Sequence, residues 1–84
     1  MTESAVTIRD IGLDVIIETK LATYFSTLNG TTPSQSLYED ILMEVERPLL
    51  KRVLTHVKGN KVRAAAILGI NRNTLAKKLK EHNI

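Results

Sequence analysis

The 84-residue sequence has no cysteine, so neither a disulfide framework nor a thiolate metal site is available to it. No apolar run approaches the ~18–20 residues needed to cross a bilayer. The opening Met1-Thr2-Glu3-Ser4-Ala5 lacks the basic and apolar stretches of a signal peptide. A cytoplasmic protein without membrane association is therefore expected. Phosphate-cradling glycine loops and nucleophile elbows are missing. His56 and His82 have no cysteine or carboxylate at ligand spacing, and the acidic pairs Glu39-Asp40 and Glu44/Glu46 are placed on the solvated side of a helix. Both histidines are read as ordinary helix-face or terminal residues, and no metal, cofactor or catalytic residue is expected. Aromatic residues are few, and none lies in the basic part of the chain, which argues against a single-strand RNA reader.

What the chain has is a separation of charge. Residues 1–50 carry three basic side chains (Arg9, Lys20, Arg47) against eight acidic ones (Glu3, Asp10, Asp14, Glu18, Glu39, Asp40, Glu44, Glu46), a balance of −5. Residues 51–84 carry nine basic groups against Glu81 alone, a balance of +8. A polyanion would meet the C-terminal part and be repelled by the rest.

That basic part has the pattern of a helix-turn-helix. Asn60 is placed to cap a helix from Lys61 to Leu68, and Gly69 stands where the chain must leave it in a left-handed conformation. Ile70 is an apolar plug at the corner, and Asn71 caps a second helix, about Arg72–Lys80. Ala64, Ala65 and Ala66 allow the helices to cross closely. On the second helix Leu75 and Leu79, with Ala76 beside them, form a packing stripe. Asn73, Thr74, Lys77 and Glu81 lie opposite, with Lys78 and Lys80 on the flanks. Arg72 occupies the first turn, where a cation opposes the helix dipole, so its guanidinium is wanted there for reach. Arginine is the commonest reader of guanine in the major groove, and asparagine can read adenine.

Upstream, residues 1–13 show no helical period; Val6, Ile8 and Leu13 alternate loosely, and an extended or frayed arm is expected. A helix is predicted from the cap Asp14 to Leu28, with Ile17, Leu21, Tyr24, Phe25 and Leu28 on one face and Asn29-Gly30 closing it. Tyr24 and Phe25 are read as core. Ser36 and Glu39 have the form of a capping box opening a long helix, residues 37–57, roughly 30 Å at 1.5 Å per residue. One row of that helix is Leu37, Ile41, Val45 and Leu49; Tyr38, Leu42, Leu50, Val53, Leu54 and Val57 widen it. Pro48 is expected to bend the helix rather than divide it. So broad an apolar surface exceeds what one short chain can cover. An intertwined homodimer on residues 14–57 follows, with Leu21, Phe25, Ile41, Leu42, Val45 and Leu49 in its core. The fold class is all-α: four helices per chain in a single structural domain, the DNA-binding region spanning residues 58–84.

The segment Gly59-Asn60 through Leu79-Lys80, with Ala64-Ala65, Gly69-Ile70-Asn71-Arg72, Thr74-Leu75 and Lys77-Lys78-Leu79-Lys80, closely resembles the Fis family of bacterial nucleoid-associated proteins. The likeness extends upstream through Tyr24-Phe25, Leu28-Asn29-Gly30, Leu37-Tyr38-Glu39, Glu44-Val45-Glu46 and Pro48-Leu49-Leu50, covering about residues 18–82. The C-terminal motif alone also resembles the DNA-binding domain of NtrC-type activators. The resemblance implies a homodimer that bends double-stranded DNA at degenerate sites in the nucleoid and regulates transcription. In that family the recognition helices lie closer together than a turn of straight duplex allows, so deformability is read as well.

By the same resemblance, Asn71, Arg72 and Thr74 would contact bases or nearby backbone. Asn60, Arg63, Lys77 and Lys78 would bind backbone phosphates, and Asn73 and Lys80 complete the DNA-binding set. Ala76 stands where a basic residue is expected and Val62 where threonine is; both weaken backbone binding. Asn73 stands where glycine is usual. Residues 1–13 are short for the family's invertase-activating β-hairpin arms, so recombinase contact is not carried over. A different class of reading is a helical dimer whose basic end docks acidic protein or anionic surfaces. Such a patch has no need of Gly69, the Asn71 cap or Arg72 set against the dipole.

Overall fold

The computed structural model describes residues 6–84, so residues 1–5 of the expected N-terminal arm lie outside it. Four α-helices follow one another: α1 (Leu13–Ser26), α2 (Leu37–His56), α3 (Lys61–Leu68) and α4 (Arg72–Glu81). None of them is long and apolar enough to cross a membrane. The chain divides into two compact units, Met1–Gln35 and Ser36–Ile84.

In the first unit, Ile8–Ile11 forms a 3-10 turn where extended backbone is one of the expectations. Its start is held by Asp10, whose Oδ2 accepts the Thr7 N–H at 3.1 Å. Gly12, at φ 74°, ends the turn and is the N-cap of α1. Asp14 is therefore not the cap. It lies in the first turn, accepting from the Val15 N–H at 3.0 Å, and its charge still favours the helix dipole. The helix ends at Ser26, two residues earlier than Leu28. The hydroxyls of Ser26 and Thr27 donate to the carbonyls of Thr23 (2.9 Å) and Tyr24 (2.7 Å), and the Thr27 N–H closes the last turn on the Thr23 carbonyl. Tyr24 and Phe25 pack edge to face with centroids 5.3 Å apart. No side chain of α1 is fully buried; Ile17, Leu21 and Tyr24 are half-buried, as is Leu28 beyond its end, and Phe25 is exposed.

In the second unit the expected Ser36–Glu39 capping box does not form. Ser36 has φ −110° and ψ 30°, outside the extended region a side-chain cap needs, and its hydroxyl turns to the Asp40 carboxylate at 3.2–3.3 Å. Helix α2 then runs unbroken through Pro48, as the periodicity on both sides predicts. Leu50 and Val57 at its C-terminal end join Ala64, Ala65, Leu75 and Leu79 in a buried core, flanked by Val53, Leu54, Leu68 and Ile70. Ala64 and Ala65 bury completely because they carry only a methyl at the helix contact, whereas Ala66 faces outward and takes no part.

The N-terminal part of α2 is different. Leu37 and Ile41 are half-buried, while Tyr38, Leu42, Val45 and Leu49 are exposed at spacings of four, three and four residues, one stripe down the helix.

Helices α2, α3 and α4 end in the same way. The left-handed residues Lys58 (φ 54°), Gly69 (φ 72°) and Asn83 (φ 57°) each initiate the exit. The next residue donates back across the turn: Gly59 to Leu54, Ile70 to Ala65, and Ile84 to Leu79. These are Schellman closures, which satisfy carbonyls that the helix end leaves free.

Candidate nucleic-acid interface

The second unit sets α3 and α4 by capping and by core burial. Asn60, in extended backbone, accepts the Arg63 N–H on Oδ1 at 3.1 Å and so fixes the start of α3. Gly69 then supplies the left-handed step; a Cβ there would meet nothing within 4 Å, so its value is conformational rather than spatial. Ile70 seats at the corner against the core. Asn71 accepts the Asn73 N–H at 2.7 Å and opens α4. Caps, turn and plug all fall where the residue pattern puts them.

Leu75, Leu79 and His82 turn inward at steps of four and three residues. Arg72, Asn73, Thr74, Lys77, Lys80 and Glu81 are exposed. Ala76 is exposed as well and does not belong to the packed stripe, since a single methyl one residue past Leu75 lies too far round the helix to reach α2 or α3. Asn60 and Arg63 are exposed at the start of α3. The structure thus gathers Asn71, Arg72, Asn73, Thr74, Lys77 and Lys80 along one solvent-facing helix, led by a capped N-terminus.

Lys78 is set apart. Its Nζ lies 2.7 Å from Glu46 Oε2, while the other oxygen of the same carboxylate is 2.8 Å from His82 Nε2. The neighbouring Arg47 donates from Nη1 to the His82 carbonyl. Hydrogen bonds from Lys78 first, and then His82, hold the Glu46 carboxyl below the usual carboxylate range; the Glu46 bond raises Lys78 above the usual lysine range.

Two sequence expectations are corrected by this cluster. Glu46 is not a solvated acid but a bridge from α2 to α4, and His82 is buried, with an exposure of 2 %, rather than a free terminal residue. The signal for His82 was present: it continues the Leu75–Leu79 stripe by three residues, and a buried imidazole needs a polar partner.

The six dimer-core candidates are not brought into the second unit's core. Leu21 lies in α1 half-buried, Ile41 is half-buried in α2, and Phe25, Leu42, Val45 and Leu49 are exposed, three of them about half so (48–49 %).

A short helix, a left-handed glycine corner and a capped basic second helix define a helix-turn-helix module. The family model for bacterial regulatory proteins of the Fis family matches residues 41–82. A putative Fis-like DNA-binding protein of Pseudomonas aeruginosa is 43 % identical over 83 residues, 99 % of this chain and 74 % of its own length. The DNA-binding protein Fis of Yersinia enterocolitica is 48 % identical over 68 residues, covering 81 % of this chain and 68 % of that protein. The chain belongs to the Fis family. The DNA-binding transcriptional regulator NtrC of Azospirillum brasilense is also similar, 44 % identical over 73 residues, but this chain spans only 15 % of that regulator's length.

Proposed function

We propose that the chain is a DNA-binding, DNA-bending homodimer that regulates transcription as a nucleoid-associated protein. The observation that carries this reading is the exposure of Arg72, Asn73, Thr74, Lys77 and Lys80 on a helix that Leu75, Leu79 and His82 lock into the core. Such a helix offers base-edge donors at its N-terminal end and cations further on, the arrangement by which a recognition helix enters the major groove. Asn60 and Arg63, at the start of α3, reach the flanking backbone.

The dimer is supported by the uncovered stripe Tyr38, Leu42, Val45 and Leu49, together with the unburied apolar side chains of α1. A second copy of the same stripe is self-complementary under two-fold symmetry and doubles the recognition helix. Membership of the Fis family supports the same reading.

Duplex binding and heparin binding, each titrated against salt beside sedimentation of the free protein, test it. A dimer that forms a discrete duplex complex, with duplex preferred over heparin at matched charge, agrees with the reading. Equal retention on heparin and duplex by a monomer would leave a basic interaction module instead.

A further inference from the structure

We propose that Glu46 is a positioning residue that withholds Lys78 from DNA phosphate while anchoring the C-terminal end of α4. This inference rests on the DNA-binding reading above and departs from the sequence-based assignment of Lys78 as a phosphate contact.

Three observations carry it. Both Glu46 oxygens are engaged, one by Lys78 at 2.7 Å and one by His82 at 2.8 Å. The Lys78 and Glu46 side chains are only 32 % and 25 % exposed, so water and salt screen their attraction less than at an open surface.

Lys78 also starts on the flank of α4 where Glu46 can hold it. It lies three residues after Leu75 and four before His82, both buried, so its stem follows the side of α4 that faces α2. Lys77 and Lys80 project from the exposed side.

Finally, Lys78 borders an open groove whose other lining residues are Glu39, Leu42, Met43, Glu46 and Glu81. Three carboxylates and one ammonium line it. While Glu46 holds the ammonium, a phosphate there would meet carboxylate charge rather than a free cation. Glu46 therefore does two jobs with one carboxylate. It fixes the end of α4 to α2 through His82, and it removes one cation from the DNA-facing set, leaving Arg72, Lys77 and Lys80 to carry the charge of α4.

The salt dependence of duplex binding separates this from a purely structural role, because fold stability does not set the number of phosphates neutralised. Native protein, Glu46→Gln, Lys78→Met and the double variant are titrated with one duplex over a range of salt. Lys78→Met is expected to keep the native slope. Glu46→Gln keeps the shape but removes the charge and one of the two acceptor oxygens, so the ammonium is released to phosphate and the slope steepens by about 0.9 per half-site, or about 1.8 for a two-fold complex. The double variant returns to the native slope.

A shallower slope for Lys78→Met in the native background overturns the proposal, as does an unchanged slope for Glu46→Gln, or a double variant that keeps the steepening. Should Glu46→Gln lose its helical circular dichroism, the Lys78→Met comparison decides alone. Failure of the native protein to bind any duplex defeats the DNA-binding reading itself, and this inference with it. Tight native binding with the wrong slopes defeats only the role given to Glu46.

Discussion

His82 Nε2 lies 2.8 Å from Glu46 Oε1, a contact across 36 residues that joins the last turn of α4 to the middle of α2. Helix α4 is thus held at both ends: by Asn71 and the glycine corner at its start, and by Glu46, Arg47 and His82 at its finish. Precision in a recognition helix depends on such anchoring, because base-edge hydrogen bonds tolerate little displacement.

Removing the imidazole tests that anchor. His82→Ala deletes a buried side chain and one hydrogen bond, while Glu46 keeps Lys78. A loss of about 1–3 kcal/mol in urea unfolding at fixed protein concentration is expected. A change indistinguishable from zero would mean that the contact does not hold the helix.

The same cluster sets a pH dependence. Glu46 has a lowered pKa in the folded chain, so its stabilising contribution is present above its ordinary value of 4.5 and is lost as pH falls through the lower folded value. Lys78, raised above 10.5, keeps its contribution below that value and loses it as pH climbs through the higher folded one. Thermal unfolding across pH 3–5, a window of about two units around the carboxylate range, is expected to be flatter for Glu46→Gln than for the native chain. Parallel curves would show that other carboxylates dominate acid unfolding.

Asn71 combines a cap with a position at the end of α4 proposed to face DNA, and two variants separate these. Asn71→Ala loses the acceptor for the Asn73 N–H and is expected to cost about 0.5–2 kcal/mol of stability. Asn71→Asp keeps an acceptor and favours the helix dipole, so stability is retained, yet it sets a negative charge against DNA. Weakened duplex binding with native thermal stability is the expected result for Asn71→Asp. Native binding by that variant would exclude Asn71 from the interface.

Much of this was legible in the residues because it is local. Asn60, Gly69, Ile70 and Asn71 each act through their own backbone or the next turn, so spacing alone locates the helix-turn-helix. The stripe of Leu75 and Leu79 follows from period, and Pro48 is passed by the helix as the surrounding periodicity requires. What the residues concealed was pairing across distance. Nothing local says that Glu46, one of several acids in the first half of α2, meets Lys78 and His82. The error at Ser36 has a different cause: its side chain has a competing carboxylate at Asp40, one residue beyond the box. Likewise, the start of α1 went to Gly12 because a preceding turn delivers the chain in the left-handed region.

The exposed stripe on α2 makes a prediction about assembly. Leu42→Asp places a charge at the centre of the surface assigned to a second copy, without touching the core around Leu50 and Leu75. Sedimentation is expected to show loss of the dimer, and circular dichroism a loss of helix with it, because a helix with one face unfilled loses most of its packing. A fully helical dimer formed by the Leu42→Asp variant would place the interface elsewhere.

The DNA-binding reading turns on Arg72, assigned to base edges in the major groove from the N-terminal end of α4. It is tested by duplex binding of native protein and Arg72→Ala, on two-fold symmetric sites in which one G·C pair per half-site is exchanged for A·T. Electrophoretic phasing of the complexes reports any bend. Native protein is expected to discriminate between the sites and to bend the preferred one. Arg72→Ala should lose about 1–3 kcal/mol per half-site on the preferred site and most of the discrimination. Equal discrimination by native protein and Arg72→Ala would contradict the placement of this helix in the groove.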